Sequence, residues 1–147
     1  MAPERKSLEE QLRGLMDAYE AVHKSLQTVL HTERHCIIHN ELNTLPQLNE
    51  SKCALKETIT QLETERTALL HAFARHYGIT AQPVRLTDII AVVPEPYGTL
   101  FSEQQKRMRQ LLQGIQRMHA ANKMLVSRSL DFQERTFMLL FGALHEK

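Results

Sequence analysis

The sequence predicts an all-α fold: a long antiparallel helical hairpin plus a third long C-terminal helix, packed in coiled-coil fashion. Three observations predict it. Apolar residues recur in alternating steps of three and four over three long segments, the mark of a helix with one buried seam. Only 5 Gly and 5 Pro occur in 147 residues, and Pro83, Pro94 and Pro96 crowd into one stretch. Elsewhere the chain lacks the punctuation that turns and short strands require. With 42% hydrophobic residues it can build a core, and its length suits a single domain, residues 1–147.

The first segment runs Leu8, Leu12, Leu15, Tyr19, Val22, Leu26, Val29, then Glu33 and Cys36. The residues between are polar or charged, as an exposed face requires. Helix 1 is expected over about residues 5–40, on the order of 50 Å long. Asn40 and Asn43 then favour left-handed and turn geometry.

Thr44-Leu45-Pro46-Gln47 reads as a helix start, with Thr44 as cap, Pro46 in the first turn and Gln47 completing a capping box. Helix 2, about residues 44–77, carries Leu45, Leu48, Leu55, Ile59, Leu62, Leu69 and Phe73, with Lys52 and Arg66 interrupting its seam. Gly78 is a suitable C-terminal stop. A short connection between long helices makes an antiparallel pair.

Residues 78–98 are read as irregular. Within them Thr87–Val93 suits either one or two helical turns capped by Thr87 or a short strand, and the run is apolar enough to pack across one end of the helices. Helix 3, about residues 99–144, has the seam Phe101, Gln104, Met108, Leu111, Ile115, Met118, Asn122, Leu125, Ser129, Phe132, Thr136, Leu139. A buried Asn at such a position sets register at some cost in stability. Gly114 inside this helix costs about 1 kcal/mol against Ala.

Beside this seam runs a second apolar line: Val126, Leu130, Gln133, Phe137, Leu140, Leu144, with Met138 and Phe141 added. A two-helix contact needs only one stripe. Either helix 3 lies against both other helices, or the second stripe is a groove or flank for a partner helix. The same seams could also join two copies of the chain, so a homodimer stays open.

Several function classes are disfavoured. With 18 basic and 17 acidic residues there is no basic stripe for nucleic acid or an anionic membrane. No apolar run nears the roughly 20 residues a membrane span needs, and no secretory leader is visible. Cys36 and Cys53 have no CxxC spacing and read as free thiols of a reducing cytoplasm. Catalytic signatures such as GxSxG, HExxH and GxGxxG are absent, so no enzyme is expected. His31, His35 and His39 align at i, i+4, i+8, but on the outer face, with nothing placed to complete the four ligands of a structural zinc site. They are read as solvated histidines, and neither metal nor cofactor is expected.

The order of these elements resembles the FlgN family of flagellar export chaperones. Four stretches carry the resemblance: Leu26–Arg34 with Glu50–Leu55 across the hairpin, Arg66 to Gly78, Leu86–Ile90, and Ala121–Phe132 on the last helix. The last is similar to that family's asparagine-then-aliphatic stretch. The resemblance implies a cytoplasmic chaperone without cofactor. It would bind the C-terminal helical segments of the hook–filament junction proteins (the flagellar hook-associated proteins) and deliver them to the type III export apparatus. It also implies that substrate is held by the C-terminal helix, which points to Leu125, Leu130, Phe132, Phe137, Leu140 and Phe141. The rival reading is a self-associating coiled-coil scaffold or adaptor without a secreted client.

Overall fold

The computed structural model describes residues 6–145, the side chains of residues 141 and 143–145 excepted. Four α-helices follow in order: α1 Leu8–Ile38, α2 Leu45–Tyr77, α3 Leu86–Ile90 and α4 Tyr97–His145. No strand occurs among the described residues, and the fold is all-α.

Helix α1 starts at Leu8 because Ser7 caps it. The Ser7 hydroxyl accepts a hydrogen bond from the Glu10 amide at 3.2 Å, and Glu9 and Glu10 face the positive end of the helix dipole. The other end closes with Asn40 in the left-handed region at φ 57°. The Glu41 amide donates to Cys36 O at 2.8 Å and the Asn40 amide to Ile37 O at 3.3 Å, a Schellman closure.

Thr44 does not cap α2. It is the last residue of a 3-10 turn, Leu42–Thr44, and its own backbone is helical (φ −88°, ψ −14°), so its side chain cannot reach forward to the α2 amides. Its hydroxyl turns back to Glu41 O at 2.8 Å and Cys36 Sγ at 3.1 Å. Pro46 occupies the first turn, and α2 ends on Gly78 at φ 68°. Within 78–98 the chain forms one short helix, α3. It is preceded by Arg85 rather than capped by Thr87, with Asp88 Oδ2 accepting from the Arg85 amide at 2.9 Å. Helix α4 begins two residues before the expected Thr99 and continues through Gly114 as one element.

Helix α1 is the central member. It runs antiparallel to α2, as shown by Tyr77–Glu9, Tyr19–Glu63 and Lys52–Glu33 contacts. It runs parallel to α4: Gln104 Nε2 donates to Asp17 at 2.8 Å, Arg107 pairs with Glu20 at 3.4 Å, and Asn122 reaches Leu30 and Glu33. Helices α2 and α4 flank α1 on two sides, and no Cα of α2 comes within 8 Å of a Cα of α4. Helix α4 also packs against α3.

The apolar core gathers at one end. Leu12, Leu70, Phe73, Leu86, Ile89, Val93 and Phe101 are buried together, so all four helices meet there. Phe73, Ile89 and Phe101 are fully buried. The carboxylate of Glu9 at this end accepts a hydrogen bond from the Tyr77 hydroxyl. That bond, with burial and the negative charge of Glu9 adding to it, pushes the Tyr77 pKa up to about 12.

Candidate partner-binding surface

Along the middle of the bundle the seams carry polar residues, and three of these meet. Glu33 of α1 pairs with Lys52 of α2 through Oε2. Its Oε1 accepts from Asn122 Nδ2 of α4 at 3.0 Å, and Asn122 donates also to Leu30 O at 2.9 Å. The interruption at Lys52 and the polar seam positions Glu33 and Asn122 are thus one linkage through three helices. Each would be costly to bury alone: Lys52 and Glu33 satisfy one another and Asn122 Nδ2 is doubly used, while Asn122 Oδ1 is buried without a partner among the described residues.

This linkage sets how far α4 runs past the hairpin. With Asn122 level with Leu30 and Glu33, the end of α1 at Ile38 lies beside α4 near Val126 and Leu130. The contact is visible as a cleft of 190 Å³ lined by Ile37, Leu42, Leu45, Val126, Ser129 and Leu130, with Gln133 at its edge. Beyond it α4 continues for roughly 15 residues, about 23 Å of helix. Every residue from 131 to 140 is exposed.

Leu130 and the overhang together hold much of the large exposed apolar surface of the described residues. Leu130 is 59% exposed, Phe132 71%, Phe137 60% and Leu140 64%. Met138 and Leu139 are likewise exposed. Leu125 differs from the rest: it is half-buried and closes the packed part of the seam. The side chain of Phe141 lies outside the described residues. The structure therefore brings Leu130 into a shared cleft with the hairpin turn, and carries Phe132, Phe137 and Leu140 beyond it. Sequence reasoning missed the hairpin's share. Ile37, Leu42 and Leu45 line the cleft, and Ile38 is exposed at the end of α1. The one available signal was the Ile37-Ile38 pair, which follows the seam residue Cys36 and is in excess of a single stripe.

The family model described as FlgN protein matches residues 1–146. The chain belongs to the FlgN family. No curated protein and no solved structure matches it. Membership makes it a flagellar export chaperone in the general sense, with partners among flagellar proteins. FlgN is a chaperone family and not a known enzyme family.

His31, His35 and His39 are exposed on α1. The rings of His35 and His39 lie with centroids 4.0 Å apart, tilted by 31°, and His39 Nδ1 donates to His35 O at 2.9 Å. Among the described residues no group of three or more His, Cys, Asp or Glu is placed to hold a metal ion. No helix of the described residues is long and apolar enough to cross a membrane.

Proposed function

We propose that this chain is a cytoplasmic export chaperone for flagellar hook–filament junction proteins. It takes their C-terminal helical segments on the overhanging end of α4 and delivers them to the type III export apparatus. The observation that carries this reading is the overhang itself: a helix apolar on two faces, projecting past the hairpin with Leu130, Phe132 and Leu140 in solvent. Leaving such side chains in water forgoes roughly 1.5–3 kcal/mol each, a loss that makes sense where a partner covers them.

The physical mechanism is helix-on-helix docking. A client terminus that is disordered in isolation folds as it seats, its apolar face against the Leu130 and Phe137 line and the cleft at Leu42 and Leu45. Ordering the client costs several kcal/mol, which keeps the complex moderate in affinity and releasable at the export gate. No covalent chemistry and no cofactor enters.

Calorimetric titration with peptides from the C-termini of hook–filament junction proteins tests it. The intact chain should bind at micromolar affinity or tighter (Kd on the order of 1 μM). A truncation ending at Leu125, which retains the Asn122 linkage, should not bind. Absence of binding by the intact, folded chain, together with tight self-association in sedimentation, would instead favour a coiled-coil scaffold whose overhang pairs with a second copy.

A further inference from the structure

Three separate clefts lie along α1 between α2 and α4, and their walls follow heptad steps: Arg66, Lys52 and Leu45 on α2, and Leu112, His119 and Val126 on α4. The one at α3 has a volume of 210 Å³ and is walled by Leu12, Leu15, Met16, Leu86, Met108 and Leu112. This is below the roughly 300–1,000 Å³ of a small-molecule pocket. It suits one or two apolar side chains presented by a partner.

The rim of the cleft says what kind of partner. Arg66 of α2 and Arg109 of α4 line it, one on each wall, and both are exposed. Among the described residues neither forms an ion pair with a carboxylate. Three nearby carboxylates have other partners. Asp17 accepts from Gln104, Glu20 pairs with Lys24 and Arg107, and Glu63 accepts from the Tyr19 hydroxyl at 3.5 Å. Two exposed guanidiniums outside these ion pairs, over an apolar floor, complement a carboxylate on either side of an apolar anchor. Arginine favours such planar, bidentate pairing.

We propose that this cleft is a second docking site, distinct from the α4 overhang, for an acidic amphipathic helix of a protein partner. A leucine or phenylalanine of that helix enters between Leu12 and Leu112, and carboxylates about one turn to either side pair with Arg66 and Arg109. The site lies some 20 residues of α4 from Leu130, about 30 Å, so both surfaces can be occupied at once.

The test uses two fluorescein-labelled helical peptides of about 18 residues, long enough to hold a helix on a surface. Both carry leucine and phenylalanine on one seam. One has glutamates flanking the seam and the other lysines. Anisotropy titrations of the full chain should show saturable binding of the glutamate peptide, with the lysine peptide at least about tenfold weaker. Arg66→Glu with Arg109→Glu should invert that order. The milder pair, Arg66→Gln with Arg109→Gln, should weaken only the glutamate peptide, and guards against misfolding of the reversed variant. Leu130→Asp with Phe137→Asp should leave glutamate-peptide binding unchanged, so failure of the overhang as a client site does not touch this result. Equal affinity for the two peptides, no saturable binding of the glutamate peptide, or binding lost with the overhang variant and kept with the arginine variants would overturn the proposal.

Discussion

Asn122 of α4 donates to Glu33 of α1 at 3.0 Å, and both residues are buried. Glu33 at the same time holds Lys52 of α2, so one carboxylate ties three helices together. Removing either partner of a largely buried ion pair strands the other. Lys52→Met should therefore destabilise the chain by about 3 kcal/mol, and Glu33→Leu by a similar amount. The double variant Glu33→Leu with Lys52→Met should recover most of the loss. Urea unfolding of the three variants checks this, and additive losses would contradict it.

The overhang predicts the opposite behaviour. Leu130 and Phe137 are more than half exposed, so Leu130→Asp with Phe137→Asp should change stability by no more than about 0.5 kcal/mol per site. Client-peptide binding by the same protein should fall below detection. Thermal melts and calorimetry on one preparation separate the two effects.

Two glycines should respond in opposite directions. Gly78 sits at φ 68°, where a Cβ is strained although space is open around it, so Gly78→Ala should cost about 1–2 kcal/mol. Gly114 is in regular helix, and an added Cβ there would meet only Gln27 Nε2 at 3.8 Å, an ordinary contact. Gly114→Ala should stabilise by about 0.5–1 kcal/mol. Chemical denaturation midpoints distinguish these signs.

The Tyr77 hydroxyl is the most strongly shifted group, held protonated up to about 12 by its hydrogen bond to Glu9. A phenol whose folded pKa is raised contributes stability that is complete below the unfolded value near 10 and is lost as pH climbs through the folded value. The stability advantage of the natural chain over Tyr77→Phe should accordingly be constant below pH 10 and shrink between pH 10 and about 12. Parallel melts of the two proteins across that window measure it. An advantage independent of pH would show that the bond contributes nothing specific to the protonated form.

Much of this fold is legible in the residue order. The seams of α1 and α2 contain the buried Leu12, Val22, Cys36 and Phe73, because a 3.6-residue period places such residues on one side of a helix whatever it packs against. Asn40 and Gly78 adopt the left-handed geometry their residue types favour. Thr44 misled because a cap signature is local, while its use depends on the preceding backbone, here already turned helical by the Leu42–Thr44 turn. Ser7, followed three residues later by Glu10, was the cap that did form on α1.

By itself the sequence determined three long helices, their seams, and a last helix apolar on two faces, since these depend only on spacing along one chain. Which helix lies between the others, and how far α4 outreaches the hairpin, was decided by tertiary structure alone. The polar breaks at Glu33, Lys52 and Asn122 look like isolated flaws along the chain. Only when α1 is placed centrally, antiparallel to α2 and parallel to α4, do they satisfy one another. Burying a charge is tolerable in that register and costly in its neighbours, and that register carries Leu130, Phe132 and Leu140 out into solvent.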